Sequence, residues 1–229
     1  MPPGFSGSCM SVRSQDVSCP LCEHPHTFPF WEDKQRRYAR CERCRLIFVE
    51  PGYRLDAAAE KAIYDRHENR VDDAGYRRFL SRLAAPLVER LRPGSTGLDF
   101  GCGPGPALAA MLYEAGFATT TYDPYYADYP ERLAQCYDFV TCTEAIEHFY
   151  QPGREWRQLL AMLAPGGWLG LMTKLARDQA AFANWHYKQD PTHVSFFSRD
   201  TFLWLAARDG LGIEFIGADV ILLHKPESV

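Results

Sequence analysis

No stretch of the 229-residue chain approaches the ~20 consecutive apolar residues that a bilayer-spanning helix needs. A charged start followed by an apolar block is lacking as well, so the expectation is a cytoplasmic protein with no membrane contact. Excess basic charge is also missing: the formal net charge is −4. That excludes attachment to nucleic acid by bulk charge and leaves only a local patch. Apolar material is not short, at 46% of residues, enough for a real core, and the length holds one large domain or one domain plus a small module. Residues 1–17, rich in Ser, Gly and Pro, lack any periodic pattern and read as a mobile tail.

Cysteine is present in pairs. Cys19-Pro-Leu-Cys22 and Cys41-Glu-Arg-Cys44 are two C-x-x-C knuckles with 18 residues between them. A two-residue gap lets both sulfurs of a knuckle face one ion, and the intervening chain can form a hairpin that brings the knuckles together. The expectation is a four-thiolate structural zinc site in residues 18–52, with His24 or His26 as possible substitutes for one cysteine. Such a module is too small to have a core without its metal. Cys9, Cys102, Cys136 and Cys142 have no such spacing.

Residues 53–93 carry apolar side chains at three- and four-residue steps until Pro93-Gly94 stops them, which predicts a helical lead-in. From residue 94 to 229, short apolar strands alternate with helices, the pattern of a doubly wound α/β sheet. Strands are predicted at 96–100, 118–122, 137–142, 168–173, 213–217 and 220–223, and helices at about 106–115, 154–163 and 199–208. Leu163-Ala-Pro-Gly-Gly167 reads as a helix stop and turn. Only 13 residues separate Asp123 from Tyr137, too few for a helix plus a strand, so the sheet should be shortened between its second and fourth strands.

The most informative run is Gly97-Leu-Asp-Phe-Gly101-Cys-Gly-Pro-Gly105, an apolar strand that turns through alternate glycines where a helix can begin. Glycine permits positive φ and close approach of a ligand to the backbone, and the helix start offers free N–H groups. A second strand ends in Asp123, placed to meet a ribose diol. Together these features resemble motif I and the acidic loop of class I S-adenosylmethionine-dependent methyltransferases. The resemblance implies S-adenosyl-L-methionine as cofactor, contacted by Asp99, Gly101, Cys102, Gly103, Gly105, Asp123, Pro124 and Thr143. It also implies a Rossmann-like methyltransferase fold behind an N-terminal zinc ribbon. No counterpart is found for the acid that often holds adenine in this family; Tyr122 or Tyr125 could stack there.

The segment Glu144-Ala-Ile-Glu147-His148 resembles the E-x-x-E-H stretch of this family. If Glu144 begins a helical turn, Glu147 and His148 share its face. With His193, from Asp190-Pro-Thr-His-Val194, they could hold a second divalent ion that orients an acceptor hydroxyl. Alternatively His148 or His193 acts as a metal-free base, or the cluster is structural. Trp185, His186 and Tyr187 are candidate acceptor contacts. The N-P-P-Y type of motif and a Pro-Cys nucleophile are both absent, which argues against methylation of adenine or glutamine amines and of pyrimidine rings.

The leading expectation is methyl transfer to a small molecule at oxygen or carbon. One alternative is an RNA methyltransferase whose ribbon docks RNA through Lys34, Arg36, Arg37, Arg40, Arg43 and Arg45, with Trp31 and Tyr38 for stacking. The other is a non-catalytic cofactor-binding subunit.

Overall fold

A computed structural model describes residues 17–66 and 70–227; the expected tail falls almost wholly outside them. The alternating region folds as its spacing predicts. Strands β4 (Thr96–Phe100), β5 (Ala118–Tyr122), β6 (Tyr137–Thr143), β7 (Leu163–Met172), β9 (Gly212–Ile216) and β10 (Val220–His224) form one sheet in the order β5-β4-β6-β7-β10-β9. The first four are parallel, whereas β10 runs antiparallel to both β7 and β9. Helices α2 (Ala74–Val88), α3 (Ala107–Glu114), α4 (Pro152–Ala161) and α6 (Arg199–Asp209) belong to this region, and α1 (Ala57–Tyr64) precedes them.

β5 is an edge strand. Where a helix and a further strand would need room, the chain makes an isolated Asp123–Ala127 bridge and a 3-10 turn at Pro130–Ala134. The Leu163–Gly167 segment differs from its expected turn. Leu163 already pairs with Tyr137, and a bulge between Tyr137 and Phe139 absorbs the glycines into β7. Gly166 takes a positive φ of 73° within it.

The first strands, β1 (Thr27–Glu32), β2 (Arg37–Cys41) and β3 (Ile47–Val49), form the expected hairpin and one strand more. Their sheet is completed from far along the chain by β8 (Ser195–Phe196), with Ile47 opposite Phe196 and Phe48 opposite Ser195. A two-residue ladder is weak alone. What secures it is an aromatic cluster of Phe30, Tyr38, Phe182, Tyr187 and Phe196, all buried; each such ring contributes roughly 1.5–3 kcal/mol. Phe182 comes from the short helix α5 (Gln179–Ala183).

The cysteine module also shares the main core. Cys19, Leu21, Cys41, Cys44, Leu46 and Phe48 belong to the same buried cluster as Trp156, Leu159 and Phe202. At the joint the Gly153 N–H donates to the Pro20 carbonyl at 3.1 Å. A Cβ on Gly153 would lie 2.4 Å from the Leu21 oxygen, so the backbone of the first knuckle would have to move. Gly153→Ala is therefore expected to destabilise the protein by about 1–3 kcal/mol, read as a lower midpoint in urea with an unchanged slope.

Candidate active site

At the carboxyl end of β4 the chain must reverse into α3, and two residues take positive φ to do it: Gly101 at 73° and Gly103 at 63°. A Cβ on Gly101 would sit 2.7 Å from that of Ala145, so only glycine fits. Asp123 ties this loop to β5. Its Oδ2 accepts the Gly103 N–H at 3.0 Å, and its Oδ1 accepts the amides of Tyr125 and Tyr126 at 2.8 and 3.2 Å. The two features picked from sequence are thus one structure.

Asp99, in front of the loop, is buried and accepts the Thr141 hydroxyl at 2.7 Å. Burial pushes its carboxyl up to about 7, against the pull of the Thr141 hydrogen bond. A carboxyl raised from about 3.9 in the unfolded chain means that the folded state binds the extra proton across that window. Stability of the ligand-free protein therefore falls as pH rises from about 4 to about 7. Asp99→Asn removes this loss: its thermal midpoint should exceed that of the wild type at about pH 8 and match it at about pH 4.

The loop opens on a cavity of about 820 Å³, within the usual size for a small-molecule site. Asp99, Gly101, Cys102, Gly103, Asp123, Pro124 and Thr143 all line it; Gly105 does not. Sequence reasoning missed the walls contributed by Glu60, Tyr64, Tyr76 and Phe79 of the lead-in helices, and by Arg154 and Gln158 of α4. Tyr125 holds α1 over the cavity by donating to Glu60 at 3.1 Å, and the Tyr64 hydroxyl donates to the same carboxylate at 2.8 Å.

The adjoining wall is built from the segment after β6, whose Ala145 lies against Gly101. Glu144 adopts a left-handed φ of 47°, and a 3-10 turn follows at Ile146–His148. No helix begins at Glu144, because its backbone breaks the turn. The expected four-residue set is accordingly reduced: ligand atoms of Glu147, His148 and His193 lie within 4.8 Å of one another, without Glu144. His193 is held by its Nδ1, 2.7 Å from the Tyr187 carbonyl. A carbonyl can only accept, so Nδ1 carries the proton and Nε2 keeps its lone pair. Burial holds this ring below the ordinary histidine range. The His148 Nδ1 lies 3.3 Å from the Thr192 carbonyl, and the two imidazoles meet edge to face at 4.7 Å.

Glu147 is fully buried; its Oε1 accepts the Tyr187 hydroxyl and its Oε2 has no hydrogen-bond partner. Burial pushes it up to about 7. Burial, then repulsion from Glu147, raises Glu144 to about 8, and its Oε1 is likewise without a partner. Asp190 and His193 line the cavity, but Trp185, His186 and Tyr187 do not. His186 lies on the surface beside Lys174, and Tyr187 is buried behind Glu147 and His193. These three are therefore not cavity-facing acceptor contacts.

The four paired cysteines converge. Cys19 and Cys44, and Cys22 and Cys41, are 3.5 Å apart at sulfur, and all four sulfurs lie within 4.8 Å of one another. A zinc tetrahedron with bonds of about 2.3 Å has edges of ~3.8 Å, so the donor set fits zinc. Glu23 and Arg45, the residue after each knuckle, both take positive φ. His24 and His26 stand outside the cluster, and His24 turns toward Glu42 at 3.9 Å.

Of the basic residues from Lys34 to Arg45, Arg36 alone is buried; Lys34, Arg37 and Arg43 are exposed. The Arg36 guanidinium is buried and donates to the carbonyls of Lys188, Asp190, Pro191 and His193. Tyr38 is 1% exposed and thus removed from any stacking surface.

An open α/β sheet with its glycine turn, strand-end acid and cavity at the carboxyl edge defines a nucleotide-cofactor enzyme. The sequence profile of the methyltransferase-domain family matches residues 67–214; the chain belongs to that family and is an S-adenosylmethionine-dependent methyltransferase. No curated protein matches it significantly. Among solved structures it is similar to the Burkholderia thailandensis 1,6-didemethyltoxoflavin-N1-methyltransferase bound to its substrate and S-adenosylhomocysteine. Identity there is 16% over 87% of this chain and 99% of the other, with a TM-score of 0.53. Magnesium protoporphyrin IX methyltransferase from Synechocystis PCC 6803 is 16% identical over 66% of this chain and 84% of its own, with a TM-score of 0.49.

Proposed function

We propose that the chain moves a methyl group to a small-molecule acceptor at oxygen or carbon, with His193 taking the acceptor's proton. The observation that carries this is the fixed tautomer of His193, which lines the same cavity as the glycine loop. S-adenosylmethionine, when bound, supplies an already activated methyl group. Asp123 and the amides of the glycine loop would hold its ribose and methionine portions, Thr143 and Pro124 its flanks, and the unpartnered oxygen of Glu144 suits its ammonium. The protein's task is then positioning and proton removal. His193→Gln should lower turnover by about 100-fold, with S-adenosylhomocysteine affinity unchanged by calorimetry. An acceptor search with labelled donor and a metabolite extract tests the whole reading, and failure to label any product would favour a non-catalytic subunit.

The four cysteines would hold one structural zinc ion, which elemental analysis checks directly. A second divalent ion is an alternative reading of Glu147, His148 and His193, favoured only by their convergence; a second equivalent of metal in the same assay would support it. Docking of RNA on the hairpin loses support from the burial of Arg36 and Tyr38.

A further inference from the structure

The loop that delivers His193 runs from a 3-10 turn at His186–Gln189 to β8, and four of its carbonyls are taken by one side chain from far away in the sequence. Arg36 stands in the turn between β1 and β2. Its Nη1 donates to the His193 carbonyl at 2.9 Å and to the Pro191 carbonyl at 3.3 Å, and its Nη2 to the Asp190 carbonyl at 3.1 Å and to that of Lys188. Both nitrogens spend both of their hydrogens, one on each carbonyl. The bonds to Lys188 and His193 are buried, where an unpaired carbonyl costs as much as a lost hydrogen bond. Only a guanidinium offers this many donors in one rigid plane.

The turn is braced before it grips. Asp33 Oδ1 accepts the amides of Gln35 and Arg36, both at 3.0 Å, and its Oδ2 accepts Lys188 Nζ at 3.0 Å. Lys188 directly follows Tyr187, whose carbonyl takes the His193 Nδ1–H at 2.7 Å. Arg36 therefore holds the chain beside that acceptor and also the backbone of the residue that donates to it. The same loop carries Asp190: its Oδ1 accepts the Thr192 hydroxyl at 2.6 Å and amide at 2.9 Å, and its Oδ2 stands 3.9 Å from His193 Nε2. A carboxylate that can balance a proton on the ring is thus fixed by the same grip. Arg36 does not line the cavity.

We infer that Arg36 is a positioning residue for the methyl transfer: by clamping the 188–193 loop it keeps the proton of His193 on Nδ1 and the lone pair on Nε2. The tautomer of a histidine is set by the bond its other nitrogen makes, and that bond lasts only while the Tyr187 carbonyl and the ring keep their spacing. A displacement of about 1 Å is enough to cost rate at a distant site. The cysteine hairpin is then an arm of the acceptor side. This deepens the reading of His193 as the base and rests on it.

The test is nitrogen NMR at about pH 8, above the ordinary histidine pKa of about 6.5, on the full chain with 15N-labelled histidines and saturating S-adenosylhomocysteine. Nitrogen shifts report which imidazole nitrogen bears the proton, and among the seven histidines the His193 signals are those missing from His193→Gln. Wild type should show the Nδ1–H form alone. Arg36→Lys keeps the charge but has three N–H groups on a single nitrogen; it should show both tautomers, as should Arg36→Ala, with S-adenosylhomocysteine affinity within about threefold of wild type. In wild type the Arg36 Nη protons should appear as separate, slowly exchanging signals, a measurement that stands if neither variant folds; one averaged signal overturns the inference. An unchanged Nδ1–H form in the folded variants overturns it too, as does a mixture of tautomers accompanied by loss of S-adenosylhomocysteine binding, which marks general loosening. If wild-type His193 itself lacks the Nδ1–H form, the reading of His193 as the base falls first.

Discussion

Asp123→Ala should lower S-adenosylhomocysteine affinity by about 100-fold, the largest loss expected from any single change in the cavity. Its carboxylate has two tasks. As the strand-end acid it is positioned to accept both ribose hydroxyls, and charge-assisted bonds of that kind contribute roughly 1.5–3 kcal/mol each. It also accepts three backbone amides, from Gly103, Tyr125 and Tyr126. Removing it frees the glycine loop and the turn carrying Tyr125, which holds Glu60 of α1. Asp123→Asn keeps one acceptor oxygen and should fall between the two. Calorimetric titration reads all three proteins, and an affinity within about threefold of wild type in the alanine variant would detach this residue from the ribose.

Cys41→Ser should be the most damaging substitution for folding. Cys41 and Cys44 are fully buried and lie in the same cluster as Trp156 and Phe202. A lost thiolate ligand therefore unsettles the main core as well as a peripheral module. Structural zinc contributes on the order of 10 kcal/mol to small metal-organised units. Loss of even part of that should lower the thermal midpoint by on the order of 10 °C or more. Zinc content should drop with it, and intrinsic fluorescence should report exposure of Trp31 and Trp185, which edge the aromatic cluster. A variant that keeps its midpoint but loses zinc would mean that the packing stands without the metal.

Local signals were legible in the sequence. The glycine turn needs positive φ, paired cysteines need one ion, and the short interval after Asp123 cannot hold a missing strand; each constraint lies within a few residues. Long-range placement was less accessible. The apolar stripe of residues 53–93 indicated helices, but not that Glu60 and Tyr76 would face a ligand, because a helical period says nothing of what covers the polar side. Spacing alone would let Glu144 share a helical face with Glu147 and His148, whereas the left-handed backbone of Glu144 starts no helix. Arg36 reads in the sequence as one of six basic residues for docking RNA, and only the distant loop that it grips explains its burial. Tyr187 reads from the sequence as a candidate acceptor contact; in the structure it holds Glu147 and His193 from behind.

The pairing of Ile47 with Phe196 has a consequence for synthesis on the ribosome. When the cysteine hairpin emerges, the free side of β3 carries unpaired amides and the apolar run Ile47-Phe48-Val49, which is later fully buried. Its partner is not made until the parallel strands of the large sheet have been. An unpaired apolar edge is a site of mistaken association, so the nascent chain spends most of its elongation with that edge open to chaperones or to other chains. A ribosome-stalled fragment ending before Ser195 should present it, and one extended past Ser198 should close it.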